Sequence, residues 1–532
     1  MIRLLALQAR RDRVVLAVWV VGLALLLLVT VQATATTYGT VHERRQVLGL
    51  ALATPVLLAF RGVPDGDAFG SAAHFQSYSW LAVAVALMNT FLAVRHGRGD
   101  EAAGRRELID ATPVGRSAAP AASLLLALGA DAAFAVLGAA AFVSGGLPLG
   151  GALLSAGGLA LTGLGFFGVG LIAGELLPTS RGANGVAEVV VLLAYLLRAA
   201  GDALGRPDLA RLRLVPSPVA AFSPIGWGES MLPFTRPTLW PLAALTVFAV
   251  ATVGTGLALH ARREAGASAV RQRGGRPAAG ALLAGPLALA WRLERAALLG
   301  WTAGAALLAA AVPSLATAIA DQRFDDASIR RIAQTLGHSR AGTASALTAG
   351  VLVLIGVLAA AAGTQCVLRA REEEAAGRAE VLLAGPVSRA RWLVAWVAVA
   401  GATVAAVLIG TSAAIALASL AQAQPDLVGD RVLQTLVQAP AALAVTAIAA
   451  VLVAAAPRIA VASAWTVFAV VVVIGLFGNL LRLPDRFVRL TPIGSVPALP
   501  TDDWGPTWFA ALVAIVLVAA AILAVRRRSV IA

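Results

Sequence analysis

The sequence contains no lysine, so all 42 basic residues among its 532 are arginine. A phosphate-binding loop of the G-x-x-x-x-G-K-[ST] type needs a lysine ammonium on the β and γ phosphates, and the chain therefore carries no Walker-type ATPase of its own. Cysteine occurs once, at Cys366 in an apolar run, which excludes an intrachain disulfide and makes redox chemistry unexpected; the residue reads as a small buried hydrophobe. Charge is scarce as well. Only 13% of residues are charged, against roughly 25% in soluble domains. No histidine, cysteine and carboxylate cluster has metal-ligand spacing, and no serine or cysteine nucleophile arrangement is visible, which leaves a membrane hydrolase little support.

What fills the chain instead is apolar. Hydrophobic residues make up 59% of it and the mean hydropathy is +0.83. The apolar runs recur at about 20 residues, the length at which a helix crosses a ~30 Å hydrocarbon core. Short alternating strands of the barrel kind are absent, so the expected fold is all-α, a polytopic membrane protein. The net charge of +14 comes from arginines scattered between runs, without a basic domain or aromatic platforms, so it points to membrane topology and not to nucleic acid.

One stretch occurs twice. Glu101-Ala-Ala-Gly-Arg-Arg-Glu-Leu-Ile-Asp-Ala-Thr-Pro-Val-Gly-Arg116 returns as Glu374-Ala-Ala-Gly-Arg-Ala-Glu-Val-Leu-Leu-Ala-Gly-Pro-Val-Ser-Arg389, with ten of sixteen positions identical. Each copy is charged, broken by glycine and closed by proline, so it is expected in water between two spans. The opening of the chain repeats too. Leu5-Ala6-Leu7, Arg10, Arg13, Leu16, Trp19 and Gly22 match Leu287-Ala288-Leu289, Arg292, Arg295, Leu298, Trp301 and Gly304, with Asp12 against Glu294. That recurrence argues against reading Ala33-Thr-Ala35 as a signal-peptidase site. Ser223-Pro-Ile-Gly226 is echoed by Thr491-Pro-Ile-Gly494, and Arg262-Arg263 by Arg526-Arg-Arg528.

The pattern predicts twelve transmembrane helices as two fused six-helix repeats: a first half at 1–260, a flexible basic linker at 261–286 and a second half at 287–532. Spans are expected at 14–35, 77–94, 118–143, 150–172, 183–197 and 239–259, then at 296–318, 345–368, 392–421, 433–456, 460–481 and 507–525. Between the first two spans, Val47 to Phe60 is interrupted by Pro55 and reads as interfacial or re-entrant. Its counterpart holds Ile329, Ile332, Ala333 and Leu336 at amphipathic spacing. Six is even, so the repeat is expected to be parallel, about an axis along the membrane normal. With both termini in the cytoplasm of a bacterial plasma membrane, 26 arginines lie on inner segments and 16 on outer segments or span ends, and both copies of the duplicated loop face inward.

Gly104 and Gly377 are poor helix residues, and the positions before Pro113 and Pro386 are pushed from helical angles, which leaves about two turns of potential helix between. In the second copy Val381, Leu382 and Leu383 are expected on the membrane surface, with Arg378 and Glu380 exposed. A single loop of this kind would read as a solvated connector fixing topology. Kept twice with Glu101, Gly104, Arg105, Glu107, Pro113 and Arg116 in register with Glu374, Gly377, Arg378, Glu380, Pro386 and Arg389, it reads as a docking surface for a soluble partner.

Glu374-x-x-Gly377-x-x-Glu380-x-Leu382-Leu383-x-x-Pro386-Val387-Ser388-Arg389 resembles the E-x-x-G-T-L-E-x-L-L-x-x-P-V-S-R signature of type-2 ABC exporter permeases. Asp110 stands where that signature has leucine, and Arg105 and Arg378 where it has threonine. The resemblance implies that each segment is a coupling helix between spans two and three that docks on a cytoplasmic ABC ATPase, with two ATPase copies holding ATP and magnesium while this chain binds no cofactor. The fused twelve-span arrangement is similar to actinobacterial polyketide-antibiotic exporter permeases, which implies a hydrophobic or amphipathic drug as cargo and a rocking of the halves when the ATPases close. A proton-coupled twelve-span carrier is the alternative. Gly97 to Arg106 superficially resembles the carrier loop G-x-x-x-D-R-x-G-R-R, but three residues separate Asp100 from Gly104 where that pattern has two.

Two carboxylates fall inside predicted spans, Asp131 and Glu188. An ionisable group at such depth costs about 2.5–3.5 kcal/mol or more, so both are candidates for the substrate pathway. Pairing between helices is the other reading, with Arg198 as a partner; Asn89, Gln365 and Asn479 read as interhelical hydrogen bonders and His96 as a loop residue.

Overall fold

The computed structural model describes residues 1–113, 115, 117–263, 268, 270, 285–314, 343–477, 483–497, 499, 501 and 503–527. The fold is an all-α polytopic membrane architecture. Among the described residues eleven helices are long and apolar enough to cross a bilayer, and Ala460–Leu476 is a shorter apolar helix. Strand is confined there to a small antiparallel hairpin, Arg206–Asp208 with Arg213–Val215, and a bridge from Asp65 to Arg213. By packing the chain divides into two compact units, Met1–Gly274 and Gly275–Ala532. The amphipathic pattern at 329–336, Asn479 and most of the basic linker lie outside the described residues.

The first unit holds six spans: Ile2–Thr37, Phe69–Ala102, Ala118–Ser144, Leu149–Leu176, Ser180–Ala203 and Trp240–Arg262. The first packs on the third, the second on the fourth and the fourth on the sixth. In the second unit Pro286–Ser314, Gly350–Ala375, Arg389–Ala421, Pro425–Ala455, Ala460–Leu476 and Gly505–Arg527 follow, and the same three pairings recur between its first and third, second and fourth, and fourth and last helices. The short threonine and serine motifs repeat in detail. Ser223 Oγ accepts from the Gly226 amide at 3.3 Å and Thr491 Oγ1 from the Gly494 amide at 3.1 Å.

Small residues let the helices approach, as expected where lipid offers no hydrophobic drive between them. A Cβ on Gly165 of the fourth span would lie 2.3 Å from the Phe248 ring, and one on Gly168 would lie 2.3 Å from Thr252 Oγ1, both on the sixth span. Thr252 Oγ1 donates across that contact to the Gly165 carbonyl at 2.9 Å.

Several boundaries differ from the sequence expectation. The basic amino terminus does not precede the first span but continues it, since Ile2–Thr37 is one helix with Gln8 and Asp12 buried against its neighbours. The second span starts at Phe69, eight residues before Ser77, because His74, Gln76 and Ser77 face protein and not lipid; His74 Nδ1 lies 3.0 Å from Ser155 Oγ on the fourth span. Its far end does not stop at Val94. It widens into a π-helical turn, Arg95–Gly99, and runs on to Ala102. In the second unit the expected span from Leu433 is divided into an amphipathic helix, Val428–Leu436, and Ala439–Ala455 with Pro440 in its first turn. Val47 to Phe60 forms two helices, Val41–Ala53 and Pro55–Arg61, whose Leu48, Leu52 and Leu58 join Phe75 and Leu214 in a small separate core.

Candidate functional site

Both duplicated segments fold alike. A long helix ends, a glycine takes a left-handed conformation, and a six-residue helix leaves at an angle: Gly104 (φ 68°, ψ 1°) precedes Arg105–Asp110, and Gly377 (φ 71°, ψ −1°) precedes Arg378–Leu383. An L side chain at such angles costs about 1–2 kcal/mol, which explains glycine at both joints. Nothing lies within 4 Å of either glycine's missing Cβ, so backbone conformation and not crowding requires them.

Burial sorts the sequence-predicted residues into two sets. Glu107 and Glu380 are exposed on the short helices, each followed by an exposed aliphatic side chain, Leu108 (74%) and Val381 (79%). Leu382 and Leu383 instead pack partly inward beside buried Ala379, so only Val381 of the expected apolar trio projects. Pro113 and Pro386 are exposed and Arg389 begins the next span, while Arg116 lies outside the described residues. Glu101 and Glu374 are not surface residues. They occupy the last turn of the preceding helix, where their carboxylates are turned inward and Glu374 is 1% exposed.

The inward set forms a brace that both units repeat. Arg98 Nη1 lies 2.8 Å from Glu101 Oε2, and Arg371 Nη1 lies 3.5 Å from Glu374 Oε2, each pair spaced i, i+3. Arg105 reaches back to Asp100 at 2.7 Å and Arg378 to Glu373 at 2.6 Å, clamping the glycine joint from the helix beyond it. The hydrogen bonds that Arg378 donates to the Glu373 carboxylate, with burial acting against them, hold Arg378 above the usual arginine range. Beneath, His96 Nε2 meets Asp12 Oδ2 at 2.7 Å, and in the second unit Arg369 Nη1 meets Glu294 Oε1 at 2.7 Å. His96 is thus a buried helical residue and not a loop residue.

In the first unit the network extends to the sixth span. Arg263 bridges Glu101 and Glu175, and its own pKa is raised: burial opposes the charge, but the two carboxylates outweigh it. With Nδ1 protonated, His260 donates to Glu175 Oε1 at 2.7 Å and accepts from Arg106 Nη2 at 3.1 Å, so the short helix is wired to the sixth span. Sequence repetition singles out Glu101 and Arg263 separately and passes over Glu175 and His260. It could not pair Arg263 with Glu101 across 162 positions.

The span carboxylates are separated. Asp131 is buried, and its Oδ1 accepts from Asn89 Nδ2 at 2.8 Å; Oδ2 has no hydrogen-bond partner, and Gly163 on the fourth span leaves the space for the pair. Glu188 lies on an exposed stripe of the fifth span with Val189 and Leu192. Arg198 partners neither. It is buried with Asp202 Oδ2 at 3.1 Å and Glu229 Oε1 at 3.4 Å. Asn89 does bond between helices, as does Gln365, which accepts from Trp301 Nε1 at 2.6 Å.

Two comparisons bear on this geometry. Residues 283–526 match the sequence model of the family described as "Multidrug efflux system permease Rv1217c, C-terminal domain". The multidrug efflux system permease protein Rv1217c of Mycobacterium tuberculosis (strain ATCC 25618 / H37Rv) is 34% identical over 542 residues, covering 99% of this chain and 94% of that protein.

Proposed function

The chain belongs to the family of the multidrug efflux permease Rv1217c, an ABC-type exporter permease family, and from that membership we propose that it is the transport subunit of an ATP-driven exporter. A separate cytoplasmic ATPase, in two copies and holding ATP and magnesium, docks on Arg105–Asp110 and Arg378–Leu383. The cargo is a hydrophobic or amphipathic small molecule moved out of the cell, with Asp131 and Glu188 on its pathway. The plasma membrane houses the chain with both termini inside, and 1–260 and 287–532 act as matched halves joined by the basic linker at 261–286. The observation that carries this reading is the duplicated joint, which presents an exposed acid and an exposed aliphatic side chain on a braced short helix in each half.

Co-purification with candidate ATPases tests it. Glu107→Arg with Glu380→Arg is expected to abolish capture, and an unchanged complex in that double variant removes the docking assignment. The rival proton-coupled mechanism draws on Asp131, whose second oxygen has no hydrogen-bond partner. Ethidium efflux under ATP depletion and, separately, under proton-gradient collapse divides the two. The ATP-driven reading expects loss in the first condition and persistence in the second.

A further inference from the structure

We propose that Arg98 and Arg371 are positioning residues that tie each duplicated loop to the end of the fourth span of its own half, so that displacement of the loop moves that span. The inference rests on the loops being the attachment points of an ATPase. Arg98 Nε donates to the Gly174 carbonyl at 3.0 Å while its Nη1 holds Glu101 at 2.8 Å. Gly174 lies in the last turn of Leu149–Leu176, and the residue four further on is Pro178, which has no N–H to give. The guanidinium therefore supplies the donor that the helix cannot.

In the second half Arg371 Nε donates to the Pro457 carbonyl at 2.9 Å, just past Ala439–Ala455, while its Nη1 faces Glu374. The same nitrogen of an arginine three residues before the loop glutamate meets a carbonyl at the end of the fourth span in both halves, inside the last turn at Gly174 and two residues past the helix at Pro457. Beneath it the paired residues differ, His96 with Asp12 in one half and Arg369 with Glu294 in the other. Arg98 is 4% exposed and is not on the surface offered to a partner, so its effect is on transmission and not on capture. A lysine could not replace it, because one ammonium lacks the planar fork that spans carbonyl and carboxylate together.

A reversible covalent substitute for the tie provides the test. A Cβ placed on Gly174 lies 3.9 Å from Arg98 Cβ, within the roughly 3.5–4.5 Å of a disulfide. In a Cys366→Ala background, the permease–ATPase complex is compared as wild type, Arg98→Ala, and Arg98→Cys with Gly174→Cys, reading ATPase capture, ATP hydrolysis and ethidium moved per ATP. Arg98→Ala is expected to keep capture and hydrolysis while transport per ATP falls about tenfold, a common size for a coupling term. The cysteine pair recovers transport when oxidised by copper phenanthroline and loses it again in dithiothreitol. A merely structural arginine would lower capture and stability together and show no redox reversal. Wild-type transport per ATP in Arg98→Ala, or an oxidised pair as impaired as the reduced one, overturns the tie. A wild-type complex that captures no ATPase overturns the functional reading instead.

Discussion

At the scale of single residues, the two left-handed glycines do the most with the least. Replacing either by alanine meets no atom within 4 Å, so the whole cost is conformational, about 1–2 kcal/mol, and it falls on the joint. Gly104→Ala and Gly377→Ala are each expected to weaken ATPase capture with the melting temperature of the purified permease nearly unchanged. Gly377→Asn should be milder, because asparagine tolerates that region. Equal loss of capture with alanine and asparagine would point away from backbone angle as the cause. These glycines were legible in the sequence. The arginines beside them were legible as repeated loop residues but not as clamps, because each reaches a carboxylate five positions back, across a joint whose geometry no sequence spacing states.

Among the elements, the short helices are set apart by what they expose. Leu108 and Val381 are 74% and 79% exposed and bury little in their own units, so trimming them costs the fold almost nothing. Leu108→Ala with Val381→Ala should therefore reduce ATPase affinity by about 1 kcal/mol or more per site while leaving thermal stability as it was, measured by titrating labelled ATPase onto the detergent-solubilised permease. Unchanged affinity would place the contact elsewhere. The spans that hold these helices were largely legible as apolar runs. Their ends were not, for one physical reason: hydropathy registers polarity but not what a polar group faces. His74 against Ser155, and Arg95, His96 and Arg98 against Asp12, Gly174 and Glu101, are helical because protein satisfies them.

For the whole molecule, the sequence repeat and the repeated packing of first on third, second on fourth and fourth on last helix describe one architecture made twice. The topology this implies is open to chemical labelling, which the single buried cysteine makes clean. In a Cys366→Ala background, Leu108→Cys and Val381→Cys should react with a membrane-impermeant maleimide only from the cytoplasmic face, and Leu239→Cys, 67% exposed, only from outside. Reaction of either loop position from outside would invert the orientation and with it the site of ATPase attachment.

The glycine face of the fourth span has a mechanical corollary. With the Phe248 ring and Thr252 seated against its bare backbone at Gly165 and Gly168, the fourth and sixth spans have no clearance in which to slide past each other. Packing this close predicts that they travel as a single strut, leaving the first half fewer independent moving parts than its six helices would allow, so that a shift imposed on one of these two rods is expected to carry the other with it.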